Sequence, residues 1–447
     1  MRKMLTRRTV LSGLAISLTL PAFRAGAAPI DAGTEFKLVD GSDADQSAKL
    51  AAALNRAASQ GRLLLLPAGT FTVADIAIPG GVHMIGVPGR TILMTPGDKR
   101  LAHLSKADGV LIEGITLAAK SQQIATGVNG LLEIEASTAI TFRQCDFRNA
   151  AGNSLAADGS AVTIEDCVFD GATAAAIHSQ NGLGLMIRGN RISNCGNAGI
   201  RIWRDDDGPD GTIITGNRID KIDWRDGGNG QNGNGVSIYN ADGVVVSDNV
   251  ISSCAFSAIR VNAGKDTQIH GNTCLQSGEV AIFSEFAFSG SVIADNIVDG
   301  AATGISITNL DKGGHLATCT GNIVRNIAPS SATNPDTRPV GIYAEAETVV
   351  ANNTIENVPG VGIAVGTGPY VRDVTVAGNM LSQVQTGIAV SVVSDAPAGP
   401  VTISGNTIGA GAQRGIVGMR WDVMASDDLV RDARKYPNTS IANNTIG

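Results

Sequence analysis

One phrase recurs down this chain and constrains its fold more than any other feature. It is clearest at Ile187-Arg188-Gly189-Asn190-Arg191-Ile192 and returns around Asn217, Asn249, Asn272, Asn296, Asn322, Asn353, Asn379, Asn406 and Asn444. The intervals between these asparagines run from 23 to 38 residues. Self-similarity at that period marks a solenoid, in which stacked coils share one continuous core. The length of 447 residues would otherwise suggest two or three domains. Each coil from about residue 174 reads Gly-Ile-x-Ile/Val-x, a loop, Val-x-Ile-x-Gly-Asn-x-Ile, and a second loop. Alternation within these segments puts one set of side chains inside the coil and the other outside. The Asn is expected at a tight bend, in the left-handed backbone region, bonded to the Asn above and below. Ten such coils at ~4.8 Å each make a rod about 50 Å long. A leucine-rich horseshoe would need a Leu-rich phrase that is missing, and a propeller would need a longer period.

The N-terminus reads as an address. Thr6-Arg7-Arg8-Thr9-Val10-Leu11 precedes an apolar run to Leu20, and Ala25-Gly26-Ala27 offers small residues for cleavage. Residues 1–27 are therefore expected to be a twin-arginine signal peptide, which places the product in the periplasm or outside the cell. All five basic residues before position 28 leave with it and no acid does. The remaining 29 Lys and Arg against 41 Asp and Glu give a formal charge of −12. That balance argues against a nucleic-acid partner, and against a polyanion unless cations gather in one groove. No later apolar run is long enough to span a bilayer.

Residues 28–72 read as a linker and cap. Asp45-Gln46-Ser47 opens a helical run, Ala48 to Ser59, that Gly61 ends. Arg62-Leu63-Leu64-Leu65-Leu66-Pro67-Ala68-Gly69-Thr70-Phe71 follows. This order resembles the entry into pectate-lyase-like right-handed β-helices, where a helix covers the open first coil. The signal, cap and repeated phrase together resemble a family of twin-arginine-translocated repetitive proteins with a pectin-lyase-like fold. The resemblance spans essentially the whole chain. It implies an all-β right-handed parallel β-helix over 73–447, an export partner in the twin-arginine machinery, and no particular activity.

Six cysteines in an exported chain raise the question of disulfides. Cys145 and Cys167 stand where later coils place the ladder Asn, and Cys274 replaces an inward Ile. Core thiols are therefore expected, with Cys145 and Cys167 alone spaced for a bridge.

In pectin-lyase-like folds the substrate groove follows the strand that corresponds to Gly-Ile-x-Ile. Its outward positions here are His178 and Gln180, Arg201 and Trp203, Ser237 and Tyr239, Arg260 and Asn262, Phe283 and Glu285, Ser306 and Thr308, then Tyr343 and Glu345. Small residues follow at Ala364, Gly366, Ala389 and Ser391, before Met419 and Trp421. Four of the chain's seven Trp and Tyr residues fall in this column. Aromatic faces with polar neighbours suit a saccharide, so Gln180, Trp203, Asn262 and Trp421 are candidate binding residues. The alternative is that these rings only flatten the sheet against covering loops.

Three functions compete. A lyase or epimerase on a uronic acid needs a cation beside the carboxylate and a base; His178, Arg201, Tyr239, Arg260 and Tyr343 supply those types. A hydrolase needs two carboxyls, for which Glu285 and Glu345 lie two coils apart, about 9.6 Å by rise. Polygalacturonase-like enzymes carry acids and a His just before successive strands of this kind. Here those places hold Ala198-Gly199, Ser257-Ala258, Thr303-Gly304 and Val340-Gly341. The third function is non-catalytic, a polysaccharide-binding or scaffold β-helix. The lyase-like groove is preferred to the hydrolase. No cofactor is expected. Asp205, Asp206 and Asp207 could offer oxygens to Ca²⁺, but their spacing matches no calcium loop, so a solvated acidic turn is preferred.

Overall fold

The computed structural model describes residues 28–122, 127–393 and 399–447; the expected signal peptide, 1–27, lies outside them. The recurring phrase forms a coil of three short strands. In one coil these are Met186–Arg188, Arg191–Cys195 and Ala198–Pro209. Each pairs in parallel with its counterparts in the coils before and after. Stacking yields a right-handed parallel β-helix with three faces. The first face is a 16-stranded sheet from Ile30–Asp31 to Thr439–Ala442. The second and third join into one 28-stranded sheet, because Thr354–Val365 and Met380–Ser391 run through the corner between them.

Inward Ile and Val repeat at equivalent positions, as at Ile192, Ile219, Ile251, Cys274 and Val298, which are at most 1 % exposed. Aromatic stacking fills part of the early coils, where the Phe147 and Phe169 rings lie 4.5 Å apart and almost parallel.

The asparagine ladder runs unbroken from Asn190 to Asn444. Each Oδ1 accepts both the backbone N–H and the Nδ2 of the Asn one coil earlier, as Asn217 does from Asn190, each at 2.9 Å. Each Nδ2 also donates to a carbonyl in the preceding coil, as Asn217 does to Ile187 at 3.0 Å. The left-handed residue is not the Asn, as the sequence suggested, but the one before it. Gly189, Gly216, Asp248, Gly271, Asp295 and Asn352 all have φ between +55° and +69°. The division is physical: the bend needs a residue that tolerates positive φ, and the ladder needs an inward amide.

Cys145 and Cys167 continue the ladder with thiols. The Cys167 Sγ accepts from the Cys145 N–H at 3.4 Å, and the Cys167 N–H donates to Asn190 Oδ1 at 2.9 Å. No bridge joins them; all six cysteines are free and buried. Cys254 and Cys195 lie two coils apart, separated by Ile222.

Helix Ser47–Gln60 covers the first coil, with Leu50, Ala53, Leu54 and Ala57 buried at helical spacing against strands Leu64–Leu65 and Ile76–Ala77. Gly61, at φ +60°, closes it. The segment expected as a linker is already structured. Ile30–Asp31 pairs with Leu64–Leu65, and Ala32–Phe36 is a short helix capped by the Asp31 carboxylate. At the other end, strands Arg414–Arg420 and Val423–Ser426 form an antiparallel hairpin, followed by helix Leu429–Asp432, which buries Leu429.

Candidate functional site

The third face places the outward column in register. His178 pairs with Arg201, Arg201 with Ser237, Ser237 with Arg260, and Arg260 with Phe283. Alongside run Gln180, Trp203, Tyr239, Asn262 and Glu285. Strand alternation delivers this arrangement directly. Trp203 packs edge-on between His178 at 5.6 Å and Tyr239 at 6.3 Å, and its Nε1–H donates to Ser237 Oγ at 3.1 Å. Tyr239 is 42 % exposed.

The two long loops flank this ring pair. Strand Ala198–Pro209 bulges between Trp203 and Gly208, extruding Arg204 to Asp207. The three acids there diverge. Asp205 accepts from Gln180 Nε2 at 2.7 Å and Asn181 Nδ2 at 2.8 Å, while Asp207 pairs with Lys265. Residues 223–234 fold over the other side. Arg201 stacks 4.8 Å from the Trp203 ring and donates to Asn232 Oδ1 in this loop at 2.6 Å. Gly230, at φ +117°, lies against Arg260; a Cβ there would come within 2.0 Å of Nη1. Any other side chain would displace the loop or the guanidinium.

Arg260 is consequently buried in the wall, with three of its five N–H donors taken by carboxylates. It holds Glu285 through two bonds of 2.7 and 2.9 Å, and Glu279 through one of 3.0 Å. Asn262 and Asn334 complete the cluster, donating to Glu285 at 3.2 Å and to Glu279 at 2.7 Å. Burial holds the Glu285 carboxyl above its usual range, against the opposing pull of Arg260. Glu345 is also raised by burial; it accepts from the Tyr343 hydroxyl at 2.7 Å and the Leu310 N–H at 2.8 Å. The Tyr343 hydroxyl is driven up by burial and by that carboxyl. His178 goes the other way, down to about 4, because it is buried beside Arg201. Its Nδ1 is buried without a hydrogen-bond partner.

Three depressions line up along the face. The central one, about 450 Å³, lies over Trp203, Tyr239, Asn262 and Glu285, beneath Gly230 and Gln231. A second, about 370 Å³, lies N-terminal to it between His103, Glu133, Asp158, His178 and Gln180. The column continues there by strand pairing, from His103 to Glu133 to Ala156 to His178. Sequence reasoning missed these residues because the phrase is irregular before residue 174; the period-2 alternation in Leu131-Leu132-Glu133-Ile134-Glu135 was the available signal.

The largest depression, about 560 Å³, is C-terminal. The small residues Ala364, Gly366, Ala389 and Ser391 are its floor. Residues 328–339 form one wall. They fold back over earlier coils, with Ser331 Oγ on the Gly278 carbonyl at 2.6 Å and Thr333 Oγ1 on the Ala255 carbonyl at 3.0 Å. Trp421 is not in the column. It sits at the hairpin tip, 6.4 Å edge-on from Tyr370, and leans over the floor from the far end. Arg338 and Asp422 join the wall to that tip, with Nη2 to Oδ2 at 3.0 Å.

Comparison with known proteins agrees with this architecture. A family model described as periplasmic copper-binding protein (NosD) matches residues 86–284, and one described as right handed beta helix region matches residues 207–379. No curated protein matches the chain. Among solved structures, bacteriophage CBA120 tailspike protein 3 is similar at TM-score 0.50 and 10 % identity, over 91 % of this chain and 65 % of that one. The N-terminal fragment of bacteriophage Phi29 gene product 12 is similar at TM-score 0.50 and 15 % identity, over 93 % and 66 %. PfbA, a surface adhesin of Streptococcus pneumoniae, has TM-score 0.49 and 13 % identity over 88 % and 91 %. At these identities the likeness is one of fold. The repeat, the coil geometry and the two family-model matches, each over less than half of the chain, agree on a right-handed parallel β-helix.

Proposed function

We propose that this is an exported β-helix protein that binds an extended polysaccharide along its third face. The observation that carries the reading is the Trp203–Tyr239 pair, half-open over a 450 Å³ depression between two loops, with further depressions on either side. Two edge-on rings flanked by Asn262 and Gln231 supply the apolar and polar contacts that sugars use. Among the described residues no helix is long and apolar enough to cross a membrane. The NosD description names copper, which draws on imidazole and sulfur ligands. No three His, Cys, Asp or Glu side chains converge among the described residues, and all six thiols are buried, so copper forms no part of the reading.

A uronate lyase or epimerase would need a cation free to meet the substrate carboxylate and a base that ionises. Arg260 is held by two carboxylates, Arg201 is part-buried with one hydrogen bond to Asn232, and the Tyr343 hydroxyl donates to Glu345. Processing is therefore a second reading.

Affinity electrophoresis in glycan gels, with assays for unsaturated uronide ends and new reducing ends, tests both readings. Trp203→Ala with Tyr239→Ala should weaken retention by about 1–3 kcal/mol per lost stacking contact. A folded double variant retained like its parent on every glycan the parent recognises would overturn the groove.

A further inference from the structure

The groove reading leaves the class of sugar open, and the charges along the face bear on it. The three depressions are lined by three arginines and no lysine. Each arginine is already paired: Arg100 with Asp75 and Glu133, Arg260 with Glu279 and Glu285, Arg338 with Asp422. Seven acids line the same depressions, so the lining carries a formal charge of −4. The two histidines there are His103 and His178, and His178 is neutral above about pH 4. The cations of this acidic chain are thus not gathered where a ligand would lie, which was the condition for accepting a polyanion.

The C-terminal depression adds a shape to that charge. Phe283 and Tyr343 line it, Trp421 reaches over it, and a floor of alanine, glycine and serine leaves room for a bulky ring. Three acids line it: Glu279 is held by Arg260 and Asp422 by Arg338, and Asp336 has no ion pair among the described residues. Tyr343 lies four coils from Tyr239, about 19 Å by rise, so one extended chain could occupy both depressions.

We infer that the depression between residues 328–339 and the Trp421 hairpin is a second subsite of the groove, and that it takes neutral or amino sugars and rejects uronates. Repulsion between this lining and a carboxylate on every sugar acts within a Debye length of about 8 Å at physiological salt. An ammonium or a neutral ring meets no such barrier. The inference rests on the groove reading and is separable from it.

The test is a glycan array holding neutral, amino-sugar and uronate polymers, read with the whole exported chain at 50 and 500 mM salt, where the Debye length is about 14 Å and about 4 Å. Binding is expected among neutral or amino sugars and absent among uronates at the lower salt. Binding confined to uronates overturns the inference while leaving the groove intact; binding to nothing overturns both. Ala389→Trp fills the floor and should weaken the recognised glycan at least tenfold. Trp421→Ala, at an exposed hairpin tip, serves where the filled floor does not fold, with the same expectation. If both variants fold and bind like the parent, the depression is not a subsite. Asp336→Lys should lower affinity for an amino-sugar polymer at least threefold and leave a neutral polymer unchanged; an unchanged amino-sugar affinity would overturn the role given to the acids.

Discussion

Replacing a mid-ladder asparagine by a side chain of similar size isolates what the ladder contributes. In Asn272→Leu the backbone N–H of residue 272 keeps its bond to Asn296 Oδ1. What disappears is the side-chain amide. Asn249 then loses the acceptor of its backbone N–H at 3.1 Å and of one Nδ2 hydrogen at 3.0 Å. The Val246 carbonyl loses a donor at 2.9 Å, and Asn296 Oδ1 loses one of its two. Asn249 and Asn272 are each 1 % exposed, so water does not replace these bonds. Two orphaned donors at about 1–3 kcal/mol each, less the gain from burying a leucine, give a net cost of about 1–4 kcal/mol. At ~2.1 cal/mol/K per residue of unfolding entropy, that lowers the melting temperature by roughly 1–5 °C if the rod melts as one unit. Asn444→Leu is the internal control. It stands at the open end of the ladder and is partly exposed, and the bonds it accepts from Asn406 are part-buried where those at Asn272 are buried, so water reaches part of what it frees. Its cost should be about 1 kcal/mol. Calorimetry on both variants decides the matter. Equal melting temperatures for the two, or an Asn272→Leu variant within 1 °C of the parent, would refute the reasoning.

Arg260→Met leaves Glu279 and Glu285 buried without their partner, and should cost about 3–5 kcal/mol at pH 7 by chemical denaturation. The deficit should shrink as pH falls and those carboxyls protonate; a deficit independent of pH would count against a charge origin. His178, with its folded value depressed to about 4, favours the fold fully above pH 6.5 and loses that contribution as pH falls toward 4. Its ring should titrate by NMR with a midpoint below 5, and a midpoint near 6.5 would mean that the ring is not buried beside Arg201. The six thiols should resist alkylation in the native protein, and all should label after denaturation without reductant; a bridged pair would contradict the thiol continuation of the ladder.

The sequence by itself determined the architecture and the register of the face. A repeated inward amide at solenoid spacing admits few folds, and once the coil is known, strand alternation names every outward residue from His178 to Tyr343. Cys145 and Cys167 were legible as ladder substitutes for the same reason. What the alternation cannot convey is what lies above the face. Whether Arg260 meets a ligand or two glutamates depended on Glu279, nineteen residues away, and on Gly230 pressing from a loop. The C-terminal depression was built from residues 328–339 folding back onto Gly278 and Ala255, and from an Arg338–Asp422 pair 84 residues apart. Periodicity is a property of neighbouring residues and neighbouring coils. Loops that leave the coil obey neither period, so their resting place, and with it the walls of the groove, was decided by tertiary packing alone.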